Sequence, residues 1–334
     1  MSRVTIKDIA EMAGVSKTIV SHYLNDNFKF MSEDTKNKIA RIVKETNYIP
    51  RNSARNLKFK KVKVINIIVA NISSSFSTNV IKYIDRKISS SSVQVIVSYS
   101  DDDDSKEKNL IEQAIASDVD GIVLFPTGKN TDYYRMLDEK NVPIVYVDRI
   151  PLNVEKYFCV LLDNQAAMVE AVQQLVDRGH KHVAYLSLPF QEEVTPRTER
   201  LEAFQDAVSE SGRILPSIVS GSEESLGGKI ETLFRSSSYT PTAFIASNDT
   251  CLESLLRVYK QIGTKKKIDI VSIDGYDLYM ILDQILLTIE HPIKEICECI
   301  LDCLNITAAT REEQLAKEKQ IFRFKPIYLS SSSS

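Results

Sequence analysis

The stretch VTIKDIAEMAGVSKTIVSHYLN, residues 4–25, decides how the rest of the chain is read. Ile6, Ile9, Ala10 and Ala13 recur at helical spacing behind Thr5, whose hydroxyl can cap a helix, and Asp8 places a negative charge in the first turn. Gly14 tolerates the left-handed backbone that ends such a helix. Ser16 is then a second cap, with Val15 placed to staple onto Val20. At about 100° per residue, Ile19, Val20, Tyr23 and Leu24 gather on one side of the second helix, and Lys17, Thr18, Ser21 and His22 on the other. One side packs; the other is small, polar and basic. Two helices across a tight glycine turn, the second with a polar outer face, make a helix-turn-helix, whose second helix enters the DNA major groove. A polar helix face is by default only solvated, but here the turn spacing and the local charge favour base reading. Lys17 can reach guanine O6 or N7, Thr18 can hydrogen-bond or touch a thymine methyl, and His22 can donate to a purine acceptor.

Charge supports that reading. Residues 1–61 carry 13 Lys and Arg against 6 Asp and Glu, while the other 273 residues carry 29 against 39. A basic head on an acidic body points to the head as the part that meets a polyanion. A third helix is expected to start behind Ser32, with Glu33 and Asp34 in its first turn and Thr35, Ile39, Ile42 and Val43 facing inward; Asn47 and Pro50 mark its end.

The 334 residues exceed what one core usually holds and suit two or three domains. With 43% hydrophobic and 26% charged residues the chain reads as an ordinary globular protein. The most apolar strand-like run, Val62 to Ala70, is too short to span a bilayer and contains Lys63 and Asn66. Lys7, Asp8 and Glu11 interrupt any signal-peptide pattern, so a cytoplasmic location without membrane contact is expected. The five cysteines are odd in number and are expected to be reduced. Cys297, Cys299 and Cys303 form a C-x-C-x3-C cluster, but Cys297 and Cys299 point to opposite faces of a helix, so packed thiols are favoured over a metal site. No cofactor is expected.

In the body, strand-like and helix-like runs alternate: KVINIIVAN, VQVIVSYS, GIVLFP and PIVYVDR, then, after LLDN at 161–164, HVAYLSLP, SIVSG, TAFIASND and DIVSIDGYD. Near-continuous apolar strands between helices argue for parallel sheets covered on both faces, and two successive sets argue for two similar doubly wound lobes. Ligands of such sheets bind beyond the carboxyl ends of the strands. Those ends carry Ser73, Ser75 and Phe76, then Phe125, then Asp148 and Arg149, and in the second set Asn248, Asp249 and Asp277, with Arg200 opening a helix. An arginine fork and a carboxylate suit vicinal hydroxyls or a polar ring. The alternative for Arg200 and Asp277 is a plain salt bridge; their placement at converging strand ends favours a cleft. The run of aspartates at 101–104 reads as a solvated loop.

Residues 4–25, continued by MSEDTKNKIARIVKETNYIPRNSARNL at 31–57, strongly resemble the LacI/GalR family of bacterial repressors. More loosely, NISSSFSTNV, VDGIVLFP, VPIVYVDR, LDNQAAM, ERLEAF, ASND, GYD and LTIEHPIKEI fall in that family's order. The resemblance implies an all-α helix-turn-helix head (1–49), a hinge helix and linker (50–61) and a periplasmic-binding-protein-like effector and dimerisation body (62–330), ahead of a disordered tail (331–334). Its first lobe is expected over about 62–161 and 293–321, its second over about 162–292 and 322–330. The implied DNA-binding set is Thr5, Ser16, Lys17, Thr18, Ser21, His22 and Asn25 in the head, then Asn52, Ala54, Arg55, Leu57 and Lys58 in the hinge. Leu57 matches the family's minor-groove wedge, with Ala54 where two hinges approach; so short a helix is unstable alone and would form only when paired on DNA. A basic linker holding phosphates is the plainer view of the same segment. Arg200 and Asp277 match positions that commonly hydrogen-bond the effector. The sequence departs from the family near Gly221, where GSEES replaces the usual stacking aromatic, and at Asp274, where an apolar residue is usual.

The function expected is therefore that of a regulator, a repressor binding a pseudo-palindromic operator as a homodimer, with a tetramer also open, and controlled by a sugar or sugar phosphate between the lobes. The alternative is a body that responds to a phosphorylated carrier protein. An enzyme is disfavoured: there is no P-loop, no G-x-G-x-x-G and no G-x-S-x-G, and His180 and His182 flank a strand start, a poor place for a catalytic pair. A solute-binding protein would need export.

Overall fold

The computed structural model describes residues 4–24, 27–46, 48, 63–89, 93–140, 142–235, 240–264, 266–275, 278–304 and 318–330. The hinge set from Asn52 to Lys58, Asn25, Asn47, Asp277 and the 331–334 tail lie outside them. The chain divides into two units at Lys63.

The first unit is three helices: α1 (Ile6–Ala13), α2 (Lys17–Leu24) and α3 (Glu33–Glu45). Thr5 and Asp8 cap α1 reciprocally, the Thr5 amide donating to Asp8 Oδ2 at 2.7 Å and the Asp8 amide to Thr5 Oγ1 at 3.4 Å. Gly14 ends α1 at φ 66°. Ser16 caps α2 by accepting from the Ile19 amide at 3.3 Å, and Ser32 caps α3 by accepting from Thr35 at 3.2 Å. Ile9, Ala10, Ala13, Val20, Ile39 and Ile42 form the core. In so small a core a single truncation weighs heavily; Ile39, fully buried, would cost about 2–5 kcal/mol as alanine. A 3₁₀ turn, Phe28–Phe30, joins α2 to α3.

The second unit holds two six-stranded sheets. In chain order its elements are β1 (Lys63–Val69), α4 (Ser75–Ile88), β2 (Val93–Tyr99), α5 (Asp104–Ala116), β3 (Gly121–Leu124), α6 (Thr131–Glu139), β4 (Ile144–Val147), β5 (Tyr157–Leu162), α7 (Asn164–Asp177), β6 (His182–Ser187), α8 (Thr195–Ser211), β7 (Leu215–Ser220), α9 (Glu223–Arg235), β8 (Ala243–Ala246), α10 (Asp249–Ile262), β9 (Asp269–Ile273), β10 (Ile285–Glu290), α11 (Ile293–Cys303), β11 (Lys319–Phe324) and β12 (Ile327–Leu329). The strand orders are β11-β5-β4-β3-β1-β2 and β12-β10-β9-β8-β6-β7. Each sheet thus repeats one doubly wound plan and takes one late strand at its edge. The reversal of order falls between β1 and β3 in one lobe and between β6 and β8 in the other, so the strand ends beside those points are where a ligand crevice opens. The strands β3, β4 and β8 are buried along their whole length, as sheets covered on both faces require.

Three features depart from the sequence expectation. β12 runs antiparallel to β10, so the second sheet is parallel except at this edge. The third passage between lobes comes after Phe324 rather than near 322, since Phe322 to Phe324 stay paired with Val160 to Leu162. The aspartate run is not merely solvated: Asp101 and Asp102 take positive φ, Asp103 caps α5 through the Lys106 amide at 2.7 Å, and Asp102 reaches Arg149 at 2.7 Å.

Candidate functional sites

The outer face of α2 is built as its periodicity implies. Val20 is fully buried, Lys17 and Thr18 are exposed, and Ser21 and His22 are half-buried. The exposed Thr5 and Ser16 both spend their hydroxyls on caps, which places them at helix N-termini whose free amides suit a phosphate. His22 is oriented from both sides. Asn27 Nδ2 donates to its Nδ1 at 3.3 Å, and the Phe30 ring lies 5.3 Å from the imidazole centroid. The neutral imidazole therefore carries its proton on Nε2, the donor that a purine N7 or guanine O6 would accept. Sequence reading missed Asn27 and Phe30, because their contact with His22 depends on how the 3₁₀ turn folds back.

In the second unit, six of the expected effector residues line one cavity: Phe76, Phe125, Asp148, Arg200, Asn248 and Asp249. Ser75 lines an adjoining pocket with Phe76 and His291. Phe76 and Phe125 meet edge to face at 5.7 Å. Arg200 lies in the second turn of α8 rather than opening it, and only 7% of it is exposed. Its Nε donates to Asn164 Oδ1 at 2.8 Å and its Nη1 to the Ser247 carbonyl at 2.7 Å. Asn164 is itself held, donating to Glu199 Oε2 at 2.7 Å, and Glu199 is clamped by both terminal nitrogens of Arg323 at 3.0 and 2.7 Å. A relay that starts on β11 thus fixes the guanidinium in the cleft. Asn248 caps α10 by accepting from the Cys251 amide at 2.9 Å. Asp249, at the start of that helix, accepts from the Ser75 amide of the other lobe at 3.0 Å; burial nevertheless pushes its carboxyl above the usual range. Asp148 projects from a residue at φ 70°.

Six further charged or titratable residues line this cavity: Asp102, Arg149, Arg197, Glu223, Asp274 and His291. Arg149 was legible as a strand-end residue and Asp274 as a departure from the family. Asp102 was hidden in an acidic run, Arg197 lies one turn before Arg200, and His291 stands just before the proline that precedes α11. Near Gly221 the chain turns tightly: a Cβ at Gly221 would meet Ser225 Oγ at 2.8 Å. The cysteines do not assemble a site. Cys159, Cys251 and Cys297 are buried, and Cys299 and Cys303 face each other on successive turns of α11 at 4.0 Å. Among the described residues no cluster could hold a metal ion, and no helix is long and apolar enough to cross a membrane.

Two family models match this chain: "Bacterial regulatory proteins, lacI family" over residues 5–51, and "Periplasmic binding proteins and sugar binding domain of LacI family" over residues 62–308. The chain belongs to the LacI family of bacterial regulatory proteins, and its function is that of a DNA-binding transcriptional regulator. It is 32% identical to the HTH-type transcriptional regulator EndR of Paenibacillus polymyxa over 97% of this chain and 96% of that one. It is 26% identical to the ribose operon repressor of Escherichia coli strain K12, over 93% and 95%. In fold it is similar to the Lac repressor dimer bound to operator and the anti-inducer ONPF, with a TM-score of 0.74, 20% identity and 98% of each chain covered. These relatives are regulators rather than enzymes.

Proposed function

We propose that this regulator is a repressor that binds a pseudo-palindromic operator as a homodimer, and that a small hydroxyl-rich metabolite, a sugar or sugar phosphate, sets its DNA affinity from the cleft between the two lobes. The observation that carries the effector reading is Arg200, buried in the lining of the switch-point crevice and held there by Asn164, Glu199 and Arg323. The cavity of about 120 Å³ falls below the roughly 300–1,000 Å³ of drug-sized sites, which suits a small ligand. Relatives support the class: one is named for the ribose operon, and a structure of similar fold, Cra from Pseudomonas putida, is in complex with fructose 1-phosphate. We place the DNA-binding head at residues 1–49, the hinge at 50–61 and the effector and dimerisation body at 62–330, in a cytoplasmic protein. In the head, Lys17, Thr18, Ser21 and His22 read bases; in the hinge, Leu57 wedges the minor groove.

Closure of the lobes on the ligand would select between two dimer arrangements, one of which lets the hinges pair on DNA. Linkage makes this testable: the factor by which a ligand changes operator affinity must equal the factor by which operator changes ligand affinity. Calorimetric titration of a screened sugar or sugar phosphate, with and without operator DNA, should give two different affinities. Equal affinities rule out that compound as effector, and full binding by Arg200→Ala and Asp277→Ala proteins would show that the site lies elsewhere.

A further inference from the structure

Of the charged side chains that line the cleft, two guanidiniums make no salt bridge among the described residues, and neither do Asp148, Asp249 and the exposed Glu223. Arg149 has Asp102 at 2.7 Å, and His291 has Asp274 at 2.9 Å. Arg197 and Arg200 stand one turn apart on α8 and line the same cavity, yet their hydrogen bonds go only to neutral acceptors. Arg197 donates to the Pro189 carbonyl at 2.9 Å, and Arg200 to Asn164 and the Ser247 carbonyl. Among the described residues neither forms an ion pair. Burying a cation without a counter-charge is unfavourable, fully so for Arg200 and in part for the half-buried Arg197, so a ligand that supplies one is stabilised there. Arg149 bears on Arg197 directly: burial and the like charge of this neighbour from the other lobe push the Arg197 guanidinium below its usual value, against the opposing pull of Asp102 and Asp148. A second observation points to a missing ligand group. His291, 3% exposed, lines the cavity with Nδ1 on Asp274 and Nε2 without a partner. On the acidic side, Asp249 has amide donors from Ser75 and Thr250, while Asp148 forms no ion pair among the described residues.

We propose that the ligand of this cleft carries an oxyanion, a carboxylate or phosphate on a hydroxylated skeleton, and that Arg197, with Arg149 opposite, is the specificity-determining residue that seats it. The proposal rests on the reading of the cleft as the effector site. The oxyanion accepts from the Arg197 fork in the paired geometry that guanidinium offers, and hydroxyls of the skeleton donate to Asp148. A neutral sugar of the same shape leaves Arg197 facing hydroxyls alone and is rejected on that account.

The test uses the full chain and two kinds of probe. The first is inorganic phosphate against chloride at matched ionic strength, read as the thermal midpoint of wild type, Arg197→Gln and, as a control for general salt effects, the exposed Arg213→Gln. Wild type and Arg213→Gln should gain about 2–4 °C more from phosphate than Arg197→Gln does. An equal gain in all three overturns the proposal. The second is calorimetry with matched pairs: ribose and ribose 5-phosphate, fructose and fructose 1-phosphate, glucose and gluconate. A charged member should bind at least about tenfold more tightly than its neutral partner, and Arg197→Gln should erase the difference. A neutral member that binds as tightly as its charged partner overturns the oxyanion seat while leaving the sugar sensor standing. Phosphate stabilisation lost in Arg197→Gln, with no binding by any of the six compounds, supports the seat and overturns the sugar skeleton instead.

Discussion

The imidazole of His291 stacks on the ring of Phe76, with centroids 3.8 Å apart and planes 18° from parallel, and its Nδ1 lies 2.9 Å from Asp274. Phe76 belongs to α4 in the first lobe, Asp274 ends β9 in the second, and His291 lies on the segment that passes between them. One side chain therefore ties both lobes at a crossing point. It also covers a face of Phe76, so a ligand ring cannot stack on that face. The ligand is left to be held by hydrogen bonds, which suits the arginines and carboxylates around it.

The lobes approach closely at Gly128, which sits at φ 96° after β3; a Cβ there would lie 2.7 Å from the Glu193 carbonyl oxygen of the opposite lobe. Gly128→Ala should hold the lobes apart, weakening ligand binding by tenfold or more in calorimetry while circular dichroism shows both lobes folded. Unchanged ligand affinity would mean that this approach plays no part in closure.

The Glu199 carboxylate gives a pH signature. Burial pushes its proton affinity up, but hydrogen bonds from Arg323 and Asn164 outweigh burial and hold its pKa below the ordinary 4.5. A carboxyl depressed on folding contributes stability above the unfolded value, and that stability is lost as pH falls through the folded value. Glu199→Gln should therefore lower the thermal midpoint at pH 7, by the few degrees that correspond to about 1 kcal/mol or less for a partly exposed pair. The gap to wild type should close as pH drops below about 4.5, the unfolded value. Because Asn164 and Arg200 depend on this carboxylate, ligand affinity should fall as well; a gap that widens in acid would refute the assignment.

For base reading, Thr18→Ala and His22→Ala should each cost about 1–3 kcal/mol at the preferred operator and relax its sequence preference. Asn27→Ala should do the same more weakly by releasing the His22 ring. Lys58→Ala should weaken all sequences alike and flatten the salt dependence. Site selection with wild type and variants decides: an unaltered preferred site in Thr18→Ala and His22→Ala removes them from the reading face.

At the hinge, Leu57→Ala should reduce DNA bending and operator affinity while the head stays folded, and two half-sites in pseudo-two-fold relation should be needed for tight binding. Bending measured by gel mobility of permuted fragments tests the first part. Normal bending and affinity in Leu57→Ala would end the wedge model.

The head was legible in the sequence because every decision it needs is local. Thr5 and Asp8 are three residues apart, Gly14 supplies its own positive φ, and Ile9, Ala13, Ile39 and Ile42 mark their buried faces by period. The two-lobed plan was legible too, since apolar runs alternating with amphipathic ones leave few ways to cover a parallel sheet. What the sequence could not decide is which charges meet. Asp102 and Arg149 are 47 positions apart, Asn164 and Arg200 are 36 apart, and Phe76 and His291 come from different lobes. No period or spacing encodes such pairs; they arise where separate strand ends converge. So the chain announces a cleft, while only the tertiary structure decides that Arg149 is already neutralised, that Arg197 is not, and that His291 has taken the face of Phe76. Local helix and strand signals act over a few residues of chain, whereas the electrostatics of a site are fixed by distances through space.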